Sequence, residues 1–517
     1  MMPALRGHVL WPLFLATAVL FGAEGLMVLR ATHGSFSFSL DDPYIHLRLA
    51  QNILKGHYGL NLGESSAPAS SILYPLLLCV LMLIGIGGQV AALLLNGAGC
   101  FASIVLIGAL LKEGEAEVPG GWLFLLVLAV CAALGLNLIG VAFTGLEHSL
   151  HIADTLACLL GVARLSRTRR APWWLPVVLV LNPLIRFEGA AIWLTGVLIL
   201  LQQRKVAPAL ATLAVGAVLL ASFSLYLHSL GLGFLPSSVL VKQTVASSGS
   251  AQSAMAHALT AIQHNLSQRD GPPQIVLILA LLAFGVWKRP SASLVAVFAA
   301  LPLGAHLLLG AFGWFGRYEL YALALGWGAA LWIYREALAR SFERLRLIPF
   351  AVVLGWLLVQ APYAGFFLLT PRAASEVERQ QFQMRRFALD YWKGPIAAND
   401  VGWVSYGNPD YVLDLWGLAS EKARLSRMAG GSDPGWMARL AQQHQAGLAM
   451  LYTPWFRALP SGWTPVAEMS LTGPGTVAVA YRTVTFYATR PELAPPLRLE
   501  LAAFARTLPQ GVTLAPR

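Results

Sequence analysis

Residues 39–74 read SLDDPYIHLRLAQNILKGHYGLNLGESSAPASSILY, a polar stretch set between long apolar runs. Within it Pro43 suits the first turn of a helix, with Asp41 and Asp42 at its cap. Ile45, Leu49, Ile53 and Leu54 then make an apolar stripe. Tyr44, Arg48, Gln51, Asn52 and Lys55 fall on the other side, and Gly56 stops the helix. The pattern predicts a short amphipathic helix lying at the outer membrane surface. An aspartate in front of a helix usually caps it, which is the plain reading of Asp42, but two adjacent aspartates exceed what a cap needs. In a watery pocket against the bilayer, one of them is a candidate general base for an acceptor hydroxyl. Arg48 nearby can pair with it or meet a phosphate.

The flanks decide the setting. The chain is 57% hydrophobic and only 12% charged over 517 residues, so lipid rather than water must solvate most of it. An apolar run from about His8 to Val28 reads as an uncleaved first helix. Further apolar segments fall near 72–88, 89–111, 120–142, 146–163, 173–186, 187–202, 207–230, 273–287, 291–312, 318–334 and 347–369. They predict about eleven to thirteen crossings of roughly 20 residues each. The net charge of +11 raises the question of nucleic acid, but the basic residues cluster between apolar runs rather than on one soluble face. Arg164, Arg167, Arg169 and Arg170, then Arg204 with Lys205, Lys288 with Arg289, and Arg335, Arg340, Arg344 and Arg346 read as cytoplasmic loops. Loop 31–71 and everything after residue 370 then lie outside. Parity between residues 72 and 145 closes only if one of 72–88 and 89–111 is a partial or tilted helix.

The tail, 371–517, changes character to prolines, glycines and mixed charge. Strand-like runs at Val412–Leu415 and Thr476–Tyr481, and a helix at Trp436–His444 behind Ser432-Asp433-Pro434, predict a small α/β domain. Residues 1–370 form the transmembrane domain. The four cysteines all sit in apolar stretches and show no metal-ligand spacing. His148 and His151 with Glu147 have near-helical spacing but no further ligand beside them, so a divalent cation stays an open possibility rather than a prediction.

The residues Asp41-Asp42-Pro43-Tyr44-Ile45, Arg48, Ala50, Asn52, Gly56, Gly59-Leu60-Asn61 and Gly63-Glu64 resemble the first external loop of polyprenyl-phosphate-dependent glycosyltransferases of the GT-C fold. They are most similar to the subgroup around the mycobacterial terminal arabinofuranosyltransferases, with Pro43 where alanine is usual. Further matches come in order. Thr144-Gly145-Leu146-Glu147 resembles an SGLET turn, Arg186-Phe187-Glu188-Gly189 an RPEG, and Leu235-Pro236-Ser237-Ser238 with Lys242 an LPNT…K segment. Arg317-Tyr318 resembles an RY pair, and Asn399-Asp400-Val401-Gly402 with Asp414-Leu415-Trp416-Gly417-Leu418 a strand–turn–strand ending in D-x-x-G-L. The resemblance reaches from about residue 38 to 420.

It implies a GT-C-like polytopic helical membrane protein that moves a sugar, with a pentofuranose the plausible one, from a polyprenyl-phosphate donor to a glycan or lipid acceptor outside the cytoplasmic membrane. Transfer would invert the anomeric centre. Asp41 is the expected base, with Asp42 supporting or capping. Arg48, Arg186, Lys242 and Arg317 are the candidates for the phosphate, and Glu147 and Glu188 are candidates to pair with those arginines or touch substrate. Near the interface Arg186 and Arg317 have a plainer use as snorkelling charges, and Lys242 as a solvated one. The competing function classes are a transporter or flippase of a lipid-linked glycan and a non-catalytic envelope assembly protein. The absence of an internal repeat weighs against the first.

Overall fold

The computed structural model describes residues 11–113, 121–246, 262–267, 271–288, 290–429, 433–473 and 475–517. Its first part is helical: α1 (Trp11–Ala31), α2 (Asp42–Ile53), α3 (Leu73–Leu83), α4 (Gly88–Lys112), α5 (Gly121–Gly135), α6 (His148–Thr168), α7 (Leu175–Ile185) and α8 (Ala190–Gln202) come first. Then follow α9 (Val206–Ser229), α10 (Ser237–Ala246), α11 (Gly271–Lys288), α12 (Pro290–Leu309), α13 (Leu320–Arg344), α14 (Ile348–Val359) and α15 (Phe366–Arg379). Leu13, Ile104, Leu156, Leu159, Phe298 and Leu325 belong to one continuous buried core that joins α1, α4, α6, α12 and α13. Outward-facing leucines such as Leu83, Leu219 and Leu358 remain exposed, as side chains that face lipid must be. The chain is a multi-pass helical membrane protein with a small mixed-sheet domain at its C-terminal end.

Among the described residues, five helices are long and apolar enough to cross a bilayer: α1, α4, α6, α9 and the Ala292–Leu309 part of α12. A sixth is counted if Ile348–Val359 and Ala361–Trp392, bent by 73°, form one span. The apolar segments read from the sequence are present, but breaks shorten several of them. Asn137 takes a left-handed conformation (φ 47°) and stops α5 before a short helix at Leu138–Ala142. Pro183 and an extended Arg186 (φ −150°, ψ 140°) separate α7 from α8. The 72–145 parity question has a simple answer in length. α3 has 11 residues, about 16 Å at 1.5 Å per residue, whereas α4 has 25. The first is too short to span and the second is not.

Helix α15 carries the chain across residue 370 into the C-terminal domain. There β1 (Ile396–Ala398), β2 (Val412–Asp414), β3 (Leu448–Leu451), β4 (Thr464–Leu471), β5 (Thr483–Ala488) and β6 (Val512–Pro516) make one sheet in the order β2-β1-β3-β5-β4-β6. β1 runs parallel to β2 and β3, and the β3–β5, β5–β4 and β4–β6 pairs are antiparallel. Phe387, Leu497, Leu501 and Phe504 share a buried cluster with Val484 and Phe486 of β5. Trp436, Met437 and Leu440 of helix Gly435–Gln443 share another with Leu413, Ala449 and Leu451. That helix starts where expected, with Asp433 Oδ1 accepting the Gly435 N–H at 2.9 Å; Ser432 lies outside the described residues. The run 476–481 is not a strand. The N–H groups of Val477 and Ala478 donate to Glu376 Oε2 at 2.7 and 3.0 Å, so they are taken out of any ladder.

The loop before α3 differs most from expectation. α2 forms and stops at Gly56 (φ +78°), but Tyr44, His46, Leu47, Arg48, Leu49 and Asn52 are all buried. The helix is not a surface helix, because the C-terminal domain sits on it. The Tyr44 ring stacks on Trp403 with centroids 3.7 Å apart. Asn61 mimics a strand: its amide donates to Val412 O and accepts from Val412 N, both at 2.9 Å, along the edge strand β2. Glu64 accepts a hydrogen bond from Tyr411. These contacts give the Gly-Leu-Asn and Gly-Glu elements of the loop a docking role.

Candidate active site

Asp41, at the N-cap of α2, makes no capping hydrogen bond there with its side chain. Asp41 turns instead toward the C-terminal domain and caps the short helix Gly402–Ser405. Its Oδ2 accepts the Gly402 N–H at 2.6 Å and its Oδ1 the Trp403 N–H at 2.8 Å. Gly402 is required by this approach, since a Cβ there would lie 2.0 Å from the Asp41 carbonyl oxygen. Asp400 shares a hydrogen bond with Asp41 and accepts another from Gln381 Nε2 at 2.9 Å.

Burial, with Asp400 alongside, holds the Asp41 carboxyl well above its ordinary 3.8, and burial raises Asp400 as well. The folded state therefore keeps protons that the unfolded chain releases. The pair's contribution to stability is full below about pH 4 and is lost as pH rises through the raised folded values. The thermal midpoint of the purified protein should fall less steeply between pH 4 and 8 in Asp400→Asn than in the parent. Equal slopes in the two melting series would refute this reading of the pair.

Asp42 takes the other direction. Its side chain is 36% exposed and faces a cavity of about 40 Å³ whose lining includes His46, Ser70, His148, Arg186, Arg317 and Leu418. Arg317 Nη2 donates to Asp42 Oδ2 at 2.5 Å and to the Tyr318 hydroxyl at 3.0 Å. The guanidinium lies over the Tyr318 ring, 4.9 Å from its centroid. Arg317 is only 3% exposed, yet its Nε and Nη1 have no acceptor among the described residues. Two N–H groups of a buried cation without partners are costly unless something binds there. The turn before α13 delivers this arginine, with Gly313, Trp314, Phe315 and Gly316 all at positive φ.

Arg186 arrives from the break between α7 and α8. Its Nη1 donates to Glu147 Oε1 at 2.5 Å and its Nη2 to Glu188 Oε1 at 2.7 Å. Glu147 is fully buried and also accepts from Ser70 Oγ at 2.7 Å, with His46 Nε2 3.8 Å from its Oε2. Glu188 is about a third exposed, at 34%. Gly145 is needed in the turn before Glu147, at φ +71° with Phe38 2.7 Å from where a Cβ would stand. Asp42 and two guanidinium groups therefore line one small space, with Glu147 and Glu188 held against Arg186.

Not every candidate joins it. Arg48 Nε donates to Leu60 O at 3.0 Å, inside the loop, and Arg48 does not line the cavity. Lys242 falls within α10, but its side chain lies outside the described residues. His148 lines the cavity, 3.4 Å from Arg186 Nη1, whereas His151 is 3.1 Å from Asn182 Oδ1 and stacks on Tyr321. Among the described residues no three of His, Cys, Asp and Glu converge as metal ligands. Ser70 carried no signal in the sequence beyond membership of a small-residue run. Asp400 belongs to the Asn399-Asp400-Val401-Gly402 run already singled out, but its pairing with Asp41 was hidden by their distance in the chain. Leu418 reaches the cavity because Asp414 folds its turn, accepting N–H groups from Trp416, Gly417 and Ala419 at 2.8, 3.1 and 2.6 Å.

The cavity sits at one end of the helices and the basic clusters at the other. Glu147 and Arg317 stand at the N-terminal ends of α6 and α13. Arg164 and Arg167 of α6 pair with Glu113 at 3.0 and 2.8 Å, and Arg335 of α13 donates to the Glu113 carbonyl at 2.6 Å. With 21 residues α6 is about 31 Å long, the thickness of a bilayer's hydrocarbon.

Residues 373–487 match the model of a family described as a domain of unknown function, DUF8728. No curated protein matches the chain. Among solved structures it is similar to the archaeal oligosaccharyltransferase AglB from Archaeoglobus fulgidus in complex with an inhibitory peptide and a dolichol-phosphate. That match has 11% identity and a TM-score of 0.44, covering 84% of this chain and 69% of the other. It is also similar to ArnT from Cupriavidus metallidurans bound to undecaprenyl phosphate, at 13% identity and a TM-score of 0.40, covering 92% and 98%.

Proposed function

We propose that the protein is a glycosyltransferase that takes a sugar from a polyprenyl-phosphate donor and passes it, with inversion, to a hydroxyl of a glycan or lipid on the outer side of the cytoplasmic membrane. The observation that carries this is Arg317. One guanidinium nitrogen holds the Asp42 carboxylate while two others are buried without an acceptor among the described residues, so a base and an anion-binding fork share one cavity. The ordered motif resemblance from residue 38 to 420 supplies the reaction class. The basic clusters at the opposite helix ends support an outward-facing site, by the positive-inside rule.

Asp42 rather than Asp41 is the base in this proposal, because Asp41 is occupied by two backbone N–H groups and Asp400. Asp42 takes the proton of the acceptor hydroxyl as its oxygen attacks the anomeric carbon from the face opposite the phosphate. The bond from that carbon to the phosphate oxygen breaks, and its electron pair leaves with the polyprenyl phosphate. Arg317 meets the developing charge with Nε and Nη1. Arg186 is held by Glu147, and the more exposed Glu188 can give way to a second phosphate oxygen. The cavity has room for about three waters and not for a sugar ring, so its rim side chains must move to admit the donor.

Incubating the purified protein with a panel of polyprenyl-phosphate pentoses and hexoses, and following polyprenyl phosphate release, tests this directly. At least one donor should turn over with an acceptor present. Movement of the intact lipid-linked sugar across proteoliposomes without cleavage would establish a flippase instead.

A further inference from the structure

We infer that the C-terminal domain holds an extended subsite for a neutral oligosaccharide, running from the Leu418 edge of the cavity over Trp416 and Trp455 to an open groove between Tyr481 and Tyr487. The inference rests on the glycosyltransferase reading and names its acceptor class: a glycan several sugars long. The track begins in the turn that Asp414 folds. Leu418 of that turn lines the cavity, and Trp416, two residues earlier, is half-buried and stacked beneath the Arg427 guanidinium at 4.0 Å. Trp416 then meets Trp455, with ring centroids 4.6 Å apart. Trp455 closes the short turn Thr453–Trp455, and Thr453 and Pro454 of that turn line the groove.

The groove has about 540 Å³, more than ten times the cavity, and lies on the sheet face of β4 and β5. Tyr481, Tyr487, Thr483, Thr485, Glu468 and Arg482 line it. Its hydroxyls are already organised: Thr453 Oγ1 lies 2.9 Å from the Tyr487 hydroxyl and 3.3 Å from Thr485 Oγ1. Sugars present an apolar C–H face and a rim of hydroxyls, and this groove offers aromatic rings beside donors and acceptors to meet both. Its two charges are opposite and each has a partner. Glu468 pairs with Arg517 at 2.7 Å, and Arg482 donates to the Leu471 carbonyl at 2.8 Å. Neither is left over for an anionic polymer, which favours a neutral glycan.

The test is binding, read by saturation-transfer NMR on the full chain in detergent micelles. The probes are maltohexaose, xylohexaose and α-(1→5)-arabinofuranohexaose, with a hyaluronan hexasaccharide as the anionic comparison. At least one neutral hexasaccharide should bind. Tyr481→Ala, at an exposed position, should weaken it about fivefold, as the loss of one stacking contact would. Thr483→Trp, which fills the groove, should weaken it at least as much. Transfer is assayed in parallel on the parent protein, so absent turnover with hexasaccharide binding intact counts against the reaction and not against the subsite. The inference is overturned if no neutral hexasaccharide binds, if neither groove variant alters binding, or if the hyaluronan fragment binds as tightly.

Discussion

Asp42→Asn should lower donor-dependent release of polyprenyl phosphate by about 10²- to 10⁴-fold, the span that a positioned general base contributes, while the protein remains folded. The amide has the shape of the carboxylate but cannot take the acceptor's proton. The Asn oxygen can still accept from Arg317 Nη2, but the buried guanidinium loses its counter-charge, so some fall in melting temperature accompanies the loss of turnover. Asp41→Asn should behave differently. It replaces a carboxyl whose two oxygens each accept a backbone N–H by an amide with a single acceptor oxygen, leaving one buried N–H unsatisfied at a cost of about 1–3 kcal/mol. The melting temperature should fall, and turnover should fall with it because the C-terminal domain no longer seats on α2. Measuring both quantities on both variants separates chemistry from docking. An Asp41 variant that melts normally while its turnover collapses would return the role of base to Asp41.

Arg317→Gln should cost about 10²- to 10³-fold in turnover, the effect of removing one preorganised donor set from a developing oxyanion. Arg317→Lys keeps the charge but loses the planar fork, so it should recover only part of that loss. Both effects should appear chiefly in the rate at saturating donor if Arg317 acts on the leaving group in the transition state. An increase in the donor's KM alone, with kcat intact, would make Arg317 a ground-state clamp and nothing more. Arg48 offers the comparison. It sits in the same loop but holds the Leu60 carbonyl, so its loss should be felt in stability rather than in transfer.

Local signals in the sequence were sound wherever a residue and its partner are near each other in the chain. The helix after Pro43, its stop at Gly56 and the capped start at Asp433 all formed as patterns of a few residues foretell. The surface position of α2 was not legible, because the domain that buries it begins more than three hundred residues later. The same distance hid the use of Asp41: alone, two aspartates before a helix look alike, and only Gly402 and Trp403 distinguish them. Apolar length was readable, but the breaks at Asn137 and Arg186 depend on backbone conformations that hydropathy does not encode. For the strand expected at 476–481, the deciding fact is Glu376, a carboxylate a hundred residues upstream that takes the N–H groups a ladder would need.

The bond between Asn61 and Val412 spans 351 residues, and that distance has a meaning in time. At 5–20 residues per second the ribosome needs about 20–70 s to make the intervening chain. For that interval the first loop exists without the strand it will border, and the face of α2 that Trp403 covers is bare. The proposed base and the docking groups therefore sit on an early-made loop, while the surface they meet is synthesised more than three hundred residues later. On the proposed reading, a chain stopped before the C-terminal domain carries Asp42, Arg186 and Arg317 but lacks Leu418, so the cavity is not closed until that domain is made.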